Sequence, residues 1–324
     1  MILADATVEC THDGSAVVGN GAIYKKERNV DLQFELESND VDSMSNTFAQ
    51  KDTIFSTTNK TVAFSFTTVL GKLGTTGLTV TDTIADGVAD MMKISNLTMA
   101  DGTPVGGLKV FDFTPNSTRQ GAGEVTVKTP DRTVVIEKAN AVVSISVSKG
   151  GETELKFDVT GVVKSDTTGQ TNTLSDPVKP KASVLTTTDG INTGVTVNSQ
   201  IVDPLSVSFG MNIDRNYARG LTEILNIINN ADHQLSISAY LSSGKFEEGY
   251  DAIVSGTEIA VQVDFEDTSD TVLWGLSIPK AKVMNTPNRN NTDGVYAIEK
   301  QYRCRPTAGN DNFTLKYYSD IAAA

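Results

Sequence analysis

The side chains best suited to catalysis are sparse in this chain: two histidines, His12 and His233, and two cysteines, Cys10 and Cys304. Serine-type nucleophilic catalysis needs a base held on the nucleophile, and no G-x-S-x-G elbow accompanies either histidine. Each is read as a lone surface or loop histidine. A structural zinc site asks for cysteines and histidines at short, repeated spacings, which Cys10 and Cys304 lack. The opening stretch MILADATVECTHDG has no basic region followed by an apolar one, as a secretory signal would, so the two thiols are read as free. LGKLGTTG at 70–77 misses the G-x-x-x-x-G-K-[ST] spacing that wraps a phosphate and reads as a glycine-rich turn. NTPNRNNTDG at 285–294 is rich in oxygen ligands but lacks the closing glutamate of a calcium loop, so it reads as a hairpin turn. The carboxylate pairs Asp40/Asp42 and Glu247/Glu248 fall on segments expected to be solvated. The sequons at Asn96 and Asn312 carry no weight without export, and Trp274, in line with Leu276 and Ile278, reads as a core residue. The expectation is a protein that is not an enzyme and uses no cofactor or metal.

Composition points to β-structure. Among 324 residues, 39% are hydrophobic and 6% aromatic, enough for a packed core, and Thr, Ser, Val, Asp and Gly are prominent. No apolar run approaches the roughly 18 residues of a membrane-spanning helix, so no membrane insertion is expected. The 27 basic and 40 acidic side chains leave a net charge of −13. Tight binding to nucleic acid relies on Lys and Arg neutralising phosphates, so this surface should not grip one. It is compatible with enclosing a nucleic acid that must slide.

The elements follow from periodicity. RNVDLQFELES places Val30, Leu32, Phe34 and Leu36 on one strand face and Asp31, Gln33, Glu35 and Glu37 on the other. A long polar segment follows, then TVAFSF, with Val62, Phe64 and Phe66 on one side. DTIADGVADMMKI has helical spacing through Ile84, Val88, Met91 and Met92, with Asp82 or Thr83 as its cap. GEVTVKT, TVVIEKANA, AVVSISVS and ETELKFDVTG are strands. Residues 164–181, polar and carrying two prolines, read as a connection.

Beyond it the order begins again. DPLSVSFGMNI and HQLSISAYL alternate, KFEEGYDAIVSG offers a short helix through Phe246, Tyr250 and Ile253, and four strands close the chain, ending in DNFTLKYYSD. Such a repeated order predicts an internal duplication, with ETELKFDVTG and DNFTLKYYSD as the last strand of each copy. The expected boundaries are a first domain at 1–165 with an arm over 1–20, a linker at 166–181 and a second domain at 182–324. In both copies the first two strands are separated by long loops, 38–59 and 214–233, far beyond the usual hairpin length of about 2 to 5 residues. The second holds ARGLTEILNIINN, where Leu221, Ile224, Leu225 and Ile228 form a helical stripe. That stripe covers its own domain or reaches a neighbouring subunit.

In this order of elements the chain resembles the duplicated tail tube proteins of long-tailed bacteriophages. The resemblance covers roughly residues 20–320 and lies in the long-loop hairpin, the helix DTIADGVADMMKI and the strands from TVVIEKANA to FDVTG. It continues in the closing strands LSIPKAKV and GVYAIEKQYRC. It implies a mainly β fold: two tandem tail-tube-type β-sandwich or barrel domains, each with a flanking helix and a long loop between its first two strands. It also implies a structural virion protein, the major subunit of stacked rings around a channel for genome ejection. A duplicated chain would build from three copies the ring that single-domain subunits build from six. Implied partners are other copies of itself, the tape measure protein and double-stranded DNA in the channel, and terminator and distal tail proteins at the tube ends. A sheath protein joins them only if the tail is contractile. The implied location is the virion tail, assembled in the bacterial host cytoplasm. Asp31, Gln33, Glu35 and Glu37 are the candidate channel-lining face, although strand geometry also permits them to point outward. Phe48, Ile54, Phe55, Leu221, Ile224, Leu225 and Ile228 are candidate contacts between rings. The alternatives are another tail component on a related fold, such as a distal tail or tail-completion protein, and a carbohydrate-binding adhesive β-sandwich.

Overall fold

The protein is described by a computed structural model over residues 6–12, 22–27, 29–45, 48–74, 86–116, 123–174, 177, 179–185, 194–219, 224–240, 256–267, 271–285, 288–292 and 295–323. The first half contains β1 (Thr7–Thr11), β2 (Gln33–Ser45), β3 (Phe48–Val69), helix α1 (Gly87–Ile94), β4 (Leu97–Asp101), β5 (Leu108–Pro115), β6 (Gly123–Thr129), β7 (Arg132–Ser148) and β8 (Glu154–Thr168). After it come β9 (Val184–Leu185), β10 (Val195–Val197), β11 (Gln200–Val202), β12 (Pro204–Gly210), β13 (Ile213–Arg219) and β14 (Ile224–Ala231). The chain closes with β15 (Gln234–Tyr240), β16 (Glu258–Glu266), β17 (Val272–Val283), β18 (Asn288–Thr292), β19 (Val295–Arg305) and β20 (Thr314–Ala322). The architecture is mainly β, as expected, with one large 18-stranded antiparallel network and a separate pair, β13–β14.

Helix α1 forms where the apolar spacing places it, and Ala89, Met91, Met92 and Ile94 are fully buried. Its cap is Asp86, not Asp82 or Thr83, which with Ile84 lie outside the described residues. The Asp86 carboxylate accepts from the Val88 and Gly74 amides at 2.7 and 2.8 Å, so one side chain caps the helix and pins the preceding chain. Asn96, in the left-handed region at φ 64°, follows its end. The second helix, read from Phe246, Tyr250 and Ile253, lies outside the described residues.

Several expectations are corrected. The segment at 38–59 is not a loop: β2 and β3 pair from Gln33↔Ala63 out to Ser45↔Phe48, through a shift after Leu36. Ladder hydrogen bonds are a backbone property, so a polar Ser/Thr/Asp stretch forms them without the apolar alternation that announces a strand. The segment at 214–233 is likewise a hairpin, β13 on β14, and the expected helix is a strand from Ile224 to Ala231. Its β-branched isoleucines favour a strand once β13 offers a partner, and its asparagines are poor helix formers. Finally, β8 runs to Thr168 and β18 occupies 288–292, where a linker and a turn were expected.

Two sets of strands share one pairing order. In the first half it is β1–β6–β7–β8–β3–β2. In the second it is β10–β16–β17–β19–β15–β12. The irregularities coincide too. Gly123↔Ala139 and Val125↔Ile136 flank a bulge on β7, and Ile259↔Ala281 and Val261↔Ile278 flank one on β17. The bulged residues are Ile136-Glu137-Lys138-Ala139 and Ile278-Pro279-Lys280-Ala281, which agree at Ile, Lys and Ala. The strand between β15 and β17 is β19, whereas DNFTLKYYSD contributes β20, which pairs with β17 near Trp274 and with β5. ETELKFDVTG and DNFTLKYYSD therefore do not stand in equivalent places.

The halves are stitched together. β12 pairs with β7, β20 with β5, and Gly71 bridges to Ala182. Buried Trp274 donates its indole N–H to the Gly71 carbonyl at 2.8 Å and packs against Tyr317 and Phe113, with ring centroids at 4.8 and 6.0 Å. Burial drives this packing, since each large ring removed from water is worth a few kcal/mol, about 1.5 to 3 for a Phe-sized side chain. Gly71 is required there, because a Cβ would stand 2.5 Å from the Lys181 carbonyl oxygen.

Candidate functional site: one sheet face crossing both halves

Pairing within and between the halves produces a continuous run, β2–β3–β8–β7–β12–β15–β19–β18. One face is the core, with Phe64, Phe66, Leu155, Phe157, Ile145, Val147, Val207, Phe209, Leu235 and Ile237 all buried. The other face is wet and mostly hydroxyl and amide. Cross-strand register sets out its rows: Ser146↔Ser208↔Ser236↔Gln301 and Ser148↔Ser206↔Ser238↔Glu299. Residues directly opposite across strands share a face, so these rows line it without a break at the junction of the halves. A shallow depression lies on it, lined by Ser146, Ser208, Gln234, Ser236, Glu299 and Gln301. The Ser236 hydroxyl donates to Glu299 Oε1 at 2.9 Å.

Asp31, Gln33 and Glu35 are exposed, alternating with half-buried Val30, Leu32 and Phe34, and they extend this wet face at its β2 end. Glu37 sits in β2 opposite Ser56, and its side chain lies outside the described structure. Phe48, Ile54 and Phe55 fall in β3 opposite Ser45, Asn39 and Ser38. Ile224, Leu225 and Ile228 fall in β14 opposite Arg219, Ala218 and Arg215, and Leu221 lies outside the described residues. The structure therefore groups Asp31, Gln33 and Glu35 on the sheet face and divides the described residues of the second set between two hairpin arms. The serine rows were missed in the sequence, although AVVSISVS, LSVSFG and HQLSISAYL each carry serine at alternate positions. What was missing was register: only pairing shows that three such strands lie side by side.

On this face the cations are matched. Lys156 meets Asp158 at 2.9 Å, Lys26 pairs with Glu154, and Arg303 meets Asp232 at 2.7 Å. Asp31 and Glu35 form no ion pair among the described residues. Nearby, Arg132 and Lys60 converge on Asp166 at 2.7 and 2.8 Å, and both cations cover the Phe34 ring. The Arg132 hydrogen bonds, joined by Lys60, hold the Asp166 carboxyl well below the usual range.

The titratable groups singled out in the sequence stand apart from the face. His233 is buried rather than on the surface, 4% exposed, with its Nδ1 donating to the Met211 carbonyl at 2.7 Å and its ring edge-on to Phe313. Burial pulls its pKa down, against the raising effects of that hydrogen bond and of Asp232. His12 is part-buried beyond β1. Cys10 and Cys304 are free and buried; burial raises both thiols, Cys304 to about 12. Neither is a reactive thiolate at neutral pH. Among the described residues no group of three or more His, Cys, Asp or Glu converges, and no helix is long and apolar enough to cross a membrane.

A scan against family models gives no match, and no curated protein matches the chain.

Proposed function

We propose that this chain is the structural subunit of a bacteriophage tail tube, built as two tandem β-sandwich modules that arose by duplication. The observation that carries the reading is the shared pairing order of the two strand sets, bulge included, together with the sheet-to-sheet junction of β12 on β7. A module that joins the next edge to edge is suited to closing a ring, because heterologous contacts that close make rings and those that do not make filaments. Closure also pairs the strand edges that otherwise invite uncontrolled association. Three chains would give a pseudo-sixfold ring around a channel.

The wet face supports the channel-lining role. It offers serine hydroxyls and amides, its cations are neutralised by neighbouring carboxylates, and Asp31 and Glu35 leave it acidic at one end. DNA phosphates would find little to hold them and weak repulsion instead. The two hairpin arms support contacts from ring to ring. Negative-stain microscopy of the concentrated protein tests the reading. Hollow rings or tubes are expected, and a uniform single chain at every concentration would overturn it.

A further inference from the structure

The junction inside the chain has a second, unoccupied counterpart. β12 lies on β7 in the register Ser206↔Ser148, Ser208↔Ser146 and Gly210↔Ser144. The shared pairing order gives each of these residues an equivalent. Leu235↔Tyr302 matches Phe64↔Val159, so β19 follows β8 and β15 follows β3. On that scale Asn288↔Glu299 matches Ser144↔Lys156, which makes β18 the counterpart of the end of β7. Gly210↔Gln234 likewise matches Gln33↔Ala63, which makes 29–33 the counterpart of 206–210. Among the described residues β18 pairs only with β19, and residues 29–33 pair only with β3, through Gln33. The run β2 to β18 thus ends in two open edges that correspond to the two strands joined at its centre.

A second observation marks the β2 edge as uncovered. Val207 and Phe209 on the joined strand and Met211 immediately after it are 2, 3 and 1% exposed. Their equivalents Val30, Leu32 and Phe34 are only partly buried against the same core. At the other edge, Tyr296 stands opposite Asn291 of β18 and is 63% exposed. Open, paired edges of this kind recruit strands.

We infer that a second copy of this chain adds its residues 29–33 to the outer edge of β18, antiparallel, with Asn29 opposite Thr292, Asp31 opposite Asn290 and Gln33 opposite Asn288. The register comes from the internal junction alone; that the contact belongs to a ring rests on the tube reading. Asp31 then carries the acidic end of one wet face onto the asparagine-rich β18 end of the next, leaving a face continuous from copy to copy.

Cross-linking in the full chain decides it. Residues directly opposite on antiparallel strands place their Cα atoms about 4.5 to 5.5 Å apart, within disulfide range. Under mild oxidation the variant Asp31→Cys with Asn290→Cys should give a ladder of head-to-tail multimers that stops at the ring number. Asp31→Cys with Asn288→Cys, displaced by two residues, should give at least ten-fold less. A ladder without hollow assemblies in the microscope would uphold this pairing and remove the tube reading. Hollow rings without a ladder, or with equal cross-linking in both variants, would overturn the pairing and leave the tube. A single uncross-linked chain throughout would overturn both.

Discussion

At the scale of single residues, the fold depends on positions where backbone comes close to backbone. Gly161 in β8 crosses the bulge of β7, and a Cβ there would lie 2.4 Å from Ile136 Cγ2 and 3.1 Å from the Ala139 Cα and the Glu137 carbonyl oxygen. Two of those three atoms are main chain and cannot swing away. Gly161→Ala should therefore lower the urea unfolding free energy by about 1 to 3 kcal/mol, the usual cost of overpacking. The titrating residues predict a two-step loss of stability in acid. His233 is depressed in the folded state, so the unfolded chain binds the extra proton; stability is complete above about pH 6.5 and falls below it. Asp166 is held low by Arg132 and Lys60, so its contribution stands above about pH 3.9 and is lost as pH drops further. Urea midpoints measured against pH should show both limbs, and His233→Gln should flatten only the upper one.

At the scale of elements, the β13–β14 hairpin arm is separable from the core. β13 and β14 pair with each other and not with the large sheet, although Arg215 reaches the Ala141 carbonyl at 3.2 Å. Replacing Asn216–Asn229 by a two-residue turn should leave far-UV circular dichroism and the melting temperature nearly unchanged while abolishing stacking of rings into tubes. A soluble fraction lost along with the fold would instead make the hairpin part of the core. The long β2–β3 arm is different in kind, because its strands continue without interruption into the main sheet.

At the scale of the whole molecule, the halves share strands as well as a core. β12 on β7, β20 on β5 and Trp274 against Phe113 cross between them. Neither half keeps its hydrogen-bond ladders complete without the other, so calorimetric unfolding should show one transition with matching van't Hoff and calorimetric enthalpies. Two resolved transitions would mean that the proposed modules are independent folding units. Assembly should raise the transition temperature with concentration, since contacts between copies favour the folded state by mass action.

Much of this protein was legible in the letters alone. Alternation put Val62, Phe64 and Phe66 into the core and Asp31, Gln33 and Glu35 into water, and the spacing of Val88, Met91 and Met92 made a helix. These follow from side-chain hydrophobicity, which acts locally and is written at each position. Pairing is not written that way. Nothing in IDRNYAR and ILNIINNA announces that they face one another, and nothing in DNFTLKYYSD tells its place beside β5 from the place of ETELKFDVTG. A ladder is made of main-chain N–H and C=O groups that every residue but proline carries alike. Which strand lies beside which, and so the wet face that crosses both halves, was decided by burying the whole core at once.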